Sequence, residues 1–362
     1  MRDYLPLQII DVTRETPDSI VVTLEIPHSL RDSFAFKPGQ HLPVRASIGE
    51  QEQCRTYSLC CAPGQAYLRV GIKRVAGGAF SNWANDALQP GGTLDVMPPA
   101  GRFVLPPGDG TPRHIVAFAA GAGITPILAM IEHALATEPA TSFTLVYGNR
   151  SPESIMFRQR LEDLKDNHLG HFTLLHVLSR NEESSAPLLE GRISADKVKA
   201  LAATLFNPAD VAGFFLCGPG SLIKETRNSL LELGVPREKI HHEFFAAGGG
   251  AYRNVRVQVE TPAAVTDTGG GTEAVAVLDG IRHRFTVPPC GKVVDAALAA
   301  GIRVPYSCKG GMCCTCRAKL VEGKARMLVN YSLEPWEIER GFILTCQAVP
   351  ESGHLVLDYD QM

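Results

Sequence analysis

Four cysteines constrain this chain more than any other feature. Cys308, Cys313 and Cys316 follow the pattern C-x4-C-x2-C, and Cys346 stands well downstream of them. That spacing holds a [2Fe–2S] cluster through four thiolates, three from one short loop and one from a distant point. Lys309, Gly310 and Gly311 lie between the first two ligands, and glycine, lacking a Cβ, lets a backbone approach a cluster closely. Amide N–H groups of such a loop can bond the sulfurs and tune the potential. Structural zinc sites instead pair C-x-x-C with a second C-x-x-C or with histidines. The other cysteines are Cys54, Cys60, Cys61, Cys217, Cys290 and Cys314, and buried, inert packing is the default expectation for a free thiol. Cys314 lies inside the loop, but its use as a ligand would break the spacing, so it is read as a non-ligand.

The 362 residues allow about two to three domains at ~100–200 residues each. A net charge of −3, with lysine and arginine dispersed, excludes the strongly basic footprint of a nucleic-acid binder. The amino terminus has no apolar leader core, and no run of about 18 apolar residues could span a bilayer. The expectation is a cytoplasmic protein without membrane insertion, in a compartment that disfavours disulfides.

Residues 1–107 read as an all-β module. Leu7 to Ile26 alternates on either side of a Thr16-Pro17-Asp18 turn, as antiparallel strands do. Glycine and proline then punctuate short strands, with only Phe80 to Leu88 helical, which is the rhythm of a small β-barrel. Within it stands Arg55-Thr-Tyr57-Ser58. An arginine can neutralise a phosphate bidentately, and a tyrosine ring can pack flat on an isoalloxazine. A surface arginine beside a packed tyrosine would explain those four residues equally well. The next stretch adds weight: Val70-Gly-Ile72 leads through Gly77-Gly78-Ala79-Phe80-Ser81 into the helix. A glycine turn feeding a helix amino terminus offers free N–H groups to a diphosphate, with Ser81 available as a cap or extra donor.

Residues 108–247 change rhythm after the breaker cluster at Pro106. His114 to Ala120 is a continuous apolar strand, as in a doubly covered parallel sheet. Gly121-Ala-Gly123-Ile-Thr125-Pro126 and a helical run follow, making a phosphate site at a helix start. The spacing is G-x-G-x-x-P, not the G-x-G-x-x-G of ordinary dehydrogenases. A second strand ends at Asn149-Arg150-Ser151, with Arg158 a turn or two beyond. An acid usually holds the ribose hydroxyl there, whereas arginine accommodates a 2′-phosphate. NADPH is therefore expected over NADH. Cys217-Gly218-Pro219-Gly220 ends a later strand, and His241-His-Glu243-Phe-Phe245 closes the module.

Residues 248–271 are expected to be a Gly-rich flexible linker, apart from a short strand near Arg253 to Glu260. Residues 272–362 open with an Asp279-Gly280 hairpin, continue into a helix at Val293 to Ala300, and reach the cysteine loop. Leu320 to Gly323 reads as a turn.

Taken together, Arg55-x-Tyr57-Ser58, the G-x-G-x-x-P turn, Cys217-Gly-Pro-Gly and the cysteine loop resemble the ferredoxin-reductase-like electron-transfer subunits of multicomponent oxygenases. The resemblance spans essentially the whole chain. Gly311-Met-Cys-Cys-Thr-Cys-Arg-Ala-Lys and Asn330-Tyr-Ser-Leu-Glu-Pro-Trp-Glu look most like the branch serving ring epoxidation of phenylacetyl-CoA. It implies an antiparallel flavin barrel, an α/β parallel-sheet NADP domain and a β-grasp [2Fe–2S] ferredoxin domain. It also implies that Cys217 borders the nicotinamide and that Glu243 and Phe245 lie near the flavin–nicotinamide contact. FAD is the expected flavin, and FMN uses the same barrel pattern in the wider family. Nicotinamide gives two electrons as hydride while a [2Fe–2S] centre takes one at a time, so a flavin between them is chemically required. Di-iron bundles place Glu-x-x-His on each of two helices; no pattern of that kind is expected in this chain, so oxygen chemistry is expected to belong to a partner oxygenase. Other acceptors stay open: a ring-hydroxylating dioxygenase, a hybrid-cluster protein or a desaturase. A non-enzymatic redox sensor would not need hydride input.

Overall fold

A computed structural model describes residues 4–180, 187–246, 252–259 and 271–361. Contacts group into two compact units, Met1–Gly249 and Gly250–Met362.

The first unit begins with an antiparallel sheet. It contains β1 (Leu5–Thr16), β2 (Ser19–Glu25), β3 (His41–Ile48), β4 (Gln51–Ser58), β5 (Tyr67–Lys73), the helix α1 (Ala79–Ala87) and β6 (Thr93–Val96). The strand order is β4-β3-β6-β1-β2-β5, and a bridge between Leu59 and Val70 brings its two ends together. Alternation in β1 sends Leu7 and Ile9 inward, where they meet Val22, Leu24, Val44, Val70 and Ile72. Phe80 and Ala84 of α1 join this core.

The same unit continues with β7 (Arg113–Ala120), α2 (Ile124–Thr137), β8 (Thr141–Asn149), α3 (Arg158–Asn167), β9 (Phe172–Leu178), α4 (Ala195–Leu205), β10 (Val211–Pro219), α5 (Gly220–Glu232) and β11 (Ile240–Ala246). All five strands are parallel, in the order β11-β10-β7-β8-β9. Both faces are covered: Ile115, Leu145 and Phe215 pack on one core, Val116, Val146 and Leu216 on another. This explains the unbroken apolar runs. The chain leaves β7 in one direction and returns to β10 on its other side. A crevice for ligands therefore opens at the carboxyl ends of β7 and β10.

In the second unit, β12 (Tyr252–Val259), β13 (Thr272–Leu278), β14 (Ile281–Val287), α6 (Val293–Ala299), β15 (Arg317–Asn330), α7 (Pro335–Glu339), β16 (Phe342–Leu344) and β17 (Ala348–Asp358) follow. The sheet order is β12-β15-β17-β13-β14, with β16 beside β15. β13 and β17 are parallel, and α6 buries Val293, Val294 and Ala297 against the sheet. The Asp279-Gly280 hairpin is present, with φ of 49° and 76° at its two central residues, the left-handed pair a two-residue hairpin loop needs.

The short strand expected near Arg253 to Glu260 is present as β12 and pairs along β15 from Tyr252–Asn330 to Val259–Gly323. The rest of the stretch 248–271 lies outside the described residues, apart from Gly271. One expectation changes: Leu320 to Gly323 is no turn, and β15 runs through it. The glycine there marks a bulge, with register shifts on both sides and φ +97° at Gly323. A bulge needs one residue with unusual dihedrals and close backbone approach, which is the same local signature as a turn. Among the described residues no helix is long and apolar enough to cross a membrane.

A Cβ on Gly323 would sit 2.2 Å from the His354 carbonyl oxygen. Gly323→Ala is therefore expected to destabilise the second unit by about 2 kcal/mol or more, read as a lowered unfolding midpoint.

Candidate functional site

The cysteine loop is held by the sheet beneath it. Thr345, at the end of β16, donates its hydroxyl and its amide to the Cys316 carbonyl at 2.8 and 3.1 Å, which sets Cys346 beside Cys316. On the other flank Gln347 Nε2 donates to the Lys309 carbonyl at 2.7 Å. Lys309 and Cys314 sit at φ 48° and 54°, a left-handed backbone that costs a side-chain-bearing residue about 1–2 kcal/mol. Gly311 is the position that must be glycine: φ is +76° and a Cβ would lie 2.9 Å from the Val329 carbonyl oxygen. Close approach is thus required by the protein's own backbone.

The thiols converge in two pairs. Cys313 bonds Cys308, which with the Met312 and Gly310 amides pushes the Cys308 thiol down to about 5. Cys316 bonds Cys346 and pushes it down, helped by the Gly311 amide and the Gln347 side chain. Gly310 N–H lies 3.4 Å from Cys308 Sγ. Among the described residues no set of three or more Cys, His, Asp or Glu closes on one point as for a single metal ion. Four thiols in two pairs, with backbone N–H groups beside sulfur, fit a [2Fe–2S] cluster. Cys314 faces elsewhere, its Sγ 3.0 Å from Ser332 Oγ.

In the first unit the candidate residues gather at the switch point. Cys217 and Glu243 are neighbours in register on β10 and β11. Glu243 reaches the barrel: Ser58 Oγ donates to its Oε2 at 3.1 Å, and His41 Nδ1 lies 3.5 Å from its Oε1. Ser58 and His41 are themselves cross-strand partners in β4 and β3. Cys217 is fully buried, and burial, followed by the Glu243 charge, pushes its thiol well up. It stands as a neutral thiol, unsuited to nucleophilic attack. Gly123 packs under this turn, since a Cβ there would fall 2.2 Å from the Cys217 carbonyl oxygen. Phe245 packs partly buried on the same core. Gly218 has φ 149° and sits against Ala120 backbone, followed by Pro219 at the start of α5.

Tyr57 is half-buried, its ring 5.7 Å from that of Phe80; burial raises its hydroxyl. Arg55 donates to the Cys54 carbonyl and to Gln53 Oε1, neutral acceptors that leave its charge for a phosphate. Gly78 precedes Ala79 at the start of α1 with no side-chain cap, so the first-turn amides have no intrahelical partner. The Ser81 hydroxyl differs from expectation. It accepts from Val75 N–H at 3.1 Å and lies 3.5 Å from the Gly78 carbonyl, closing the loop rather than capping the helix. Val70 and Ile72 are fully buried in the barrel, so a ligand would meet only their backbone. Gly77 and Gly121, at φ +71° and +54°, have nothing within 4 Å of a built Cβ. Both glycine turns therefore face open space, and the residues fit a flavin nucleotide at one and a nicotinamide nucleotide at the other.

The G-x-G-x-x-P turn is more helical than its sequence suggests. α2 begins at Ile124, so Thr125 and Pro126 lie buried in its first turn, where proline's missing N–H costs nothing. Thr125 Oγ1 donates to the Ala122 carbonyl at 2.9 Å. Arg150 is exposed after β8 and bonds through its amide to Ser154 Oγ; Ser151 begins a capped turn. Arg158 pairs with Glu162 at 2.9 Å on α3, which leaves Arg150 the freer cation. His41 escaped sequence reasoning, because its only signal is proximity to a glutamate in the other half of the unit. Three Glu-x-x-His stretches, Glu25–His28, Glu238–His241 and Glu351–His354, occur in the chain, but on strand and turn backbone.

Residues 6–105 match the oxidoreductase FAD-binding domain, 118–228 the oxidoreductase NAD-binding domain and 276–351 the 2Fe-2S iron-sulfur cluster binding domain. The chain is 39% identical over 361 residues to one of the subunits of 1,2-phenylacetyl-CoA epoxidase from Escherichia coli K12, covering 99% of each. It is 34% identical to the ferredoxin reductase component of 3-ketosteroid-9-alpha-monooxygenase from Rhodococcus rhodochrous, covering 98% of this chain and 96% of that protein. Its fold is similar to that of phthalate dioxygenase reductase, with a TM-score of 0.60 at 24% identity over 98% of each chain.

Beside Glu243, His242 is pushed down to about 4 by burial and then by the charges of Arg227 and His241. It stays neutral in the fold, whereas the unfolded chain binds its proton near pH 6.5. Its contribution is present above about pH 6.5 and is lost as pH falls toward 4. The unfolding midpoint should drop across that window, and His242→Gln should flatten the drop.

Proposed function

The chain belongs to the ferredoxin-reductase-like electron-transfer subunits of multicomponent oxygenases, and we propose that it oxidises NADPH to supply an oxygenase that epoxidises the ring of phenylacetyl-CoA. The oxidoreductase activity, with FAD, NAD(P)H and one [2Fe–2S] cluster, follows from the three domain matches. The choice of acceptor is supported by the full-length likeness to a component of a phenylacetyl-CoA epoxidase.

One observation carries the site assignment: Ser58 of the barrel bonds Glu243 of the parallel-sheet half at 3.1 Å, beside buried Cys217. Bound FAD supplies the conversion of a hydride into single electrons. The protein's own groups position and exclude. Tyr57 and the α1 amides, with Arg55, hold the flavin nucleotide. Cys217, small and neutral, leaves room for the nicotinamide ring to approach, while Gly218 and Pro219 shape the wall behind it. Ser58 and Glu243 would hold a hydroxyl proton and a carboxylate beside the bound flavin and nicotinamide. Gly121, Gly123, Thr125 and Pro126 form the phosphate turn of the nucleotide. Arg150 and Ser151, with Arg158 farther along, favour the 2′-phosphate of NADPH. Cys308, Cys313, Cys316 and Cys346 form the exit toward the partner.

This reading assigns 1–107 to flavin, 108–247 to nicotinamide nucleotide and 272–362 to the cluster. It places the protein in the cytoplasm, where NADPH and coenzyme A thioesters are found.

NADPH should outcompete NADH in steady-state kcat/KM. Arg150→Ala should weaken NADPH about tenfold, the scale of one charge-assisted contact, with NADH little changed; an intrinsic NADH preference would overturn the cofactor choice. Cys346→Ser should spare reduction of the flavin by NADPH and abolish delivery to the oxygenase. Reconstitution with a phenylacetyl-CoA epoxidase core identifies the acceptor, and failure there alongside rapid turnover with another oxygenase would replace it.

A further inference from the structure

His41 is 3% exposed at the first position of β3. Its backbone is fixed from both sides, since its amide and carbonyl exchange hydrogen bonds with Ala100 at 2.9 Å each. The ring lies where a side chain at position 101 would be: a Cβ built on Gly101 falls 2.9 Å from Nδ1 and 3.0 Å from Cε1. Gly101 has φ +109°, so this cradle is open only to glycine. The imidazole is thereby aimed at Glu243, with Nδ1 3.5 Å from Oε1. The other carboxylate oxygen receives the Ser58 hydroxyl. His41 Nε2 is buried with no hydrogen-bond partner.

From these contacts we infer that His41 is a positioning residue for the Glu243 carboxylate, acting with Ser58 as a two-point clamp and carrying its proton on Nδ1. A carboxylate held by a single hydroxyl can rotate about its last bond; a polar ring nitrogen 3.5 Å from the opposite oxygen limits that freedom. The clamp joins the two halves of the first unit, because both donors come from the barrel and the acceptor from β11. The tautomer follows from the surroundings. A buried N–H without an acceptor is costlier than a bare ring nitrogen, so the proton belongs on the nitrogen facing the carboxylate. The inference rests on Glu243 serving hydride transfer, as proposed above.

The test uses the full-length flavin- and cluster-loaded protein, in stopped-flow reduction by NADPH and in ¹⁵N NMR with labelled histidine. His41→Leu should slow flavin reduction about tenfold, the scale of one hydrogen bond to a charged group. His41→Asn, which keeps an N–H donor, should recover part of that loss at a similar unfolding midpoint. In a Glu243→Ala background, His41→Leu should cost nothing further, since it acts through the missing group. The His41 ring should carry a proton on Nδ1, facing Glu243. Additive losses in the double variant, equal slowing by Asn and Leu, or an Nε2–H tautomer would overturn the clamp. If Glu243→Ala alone leaves reduction unchanged, the assignment of Glu243 fails instead, whatever His41 does.

Discussion

The first unit depends on how closely its two halves are brought together. The barrel keeps a core of its own, but its Val21, Cys60, Phe103 and Leu105 lie in one apolar cluster with Ile115, Met130 and Phe215 of the other half, and a few exact fits of backbone and side chain complete the placement. Gly71 of β5 is one: a Cβ there would lie 2.8 Å from Thr125 Cγ2 and 3.1 Å from Met156 Cε. Gly39 is another, where a Cβ would meet Met130 at 2.4 Å. Glu15 accepts from the Phe157 amide at 2.6 Å, and Lys73 donates to the Ser154 carbonyl at 3.3 Å. Glu243 with Ser58 and His41 lies within this same seam. The seam therefore sets how Glu243, Ser58 and His41 meet.

The second unit solves a different problem, that of bringing three sulfurs of a loop with little regular structure beside a fourth at Cys346. Polar side chains rooted in the sheet hold it. Fully buried Asn330 accepts from the Ser332 and Leu333 amides, and Ser332 in turn lies 3.3 Å from the Gly311 carbonyl. Glu337, with no exposure, takes Arg317 at 2.9 Å and caps the start of α7, while Arg317 covers the Phe342 ring at 3.5 Å. A buried carboxylate held this way is costly to orphan, about 3–5 kcal/mol. Lost packing here would loosen the loop before it unfolded the sheet.

Much of this was legible in residues alone. The cysteine spacing named the cluster, and the Asp279-Gly280 turn fixed a hairpin register. The switch from alternating to continuous apolar strands separated a one-sided antiparallel sheet from a parallel sheet covered on both faces. These signals are local, since each rests on the period of the backbone or on the reach of a few adjacent residues. The same locality misled at Gly323, where a bulge and a turn share one dihedral requirement. It found the strand at residues 252–259 but not its partner, which lies far along the chain.

What the chain determined by itself was the parts list: a cysteine pattern, two glycine turns and an order of three modules. The meeting of Glu243 with Ser58 and His41 was decided only by tertiary structure. Contacts between residues nearly two hundred positions apart leave no periodic trace in a sequence. They arise where the two halves pack through a shared apolar core, with close fits at Gly39 and Gly71 helping to settle what touches what.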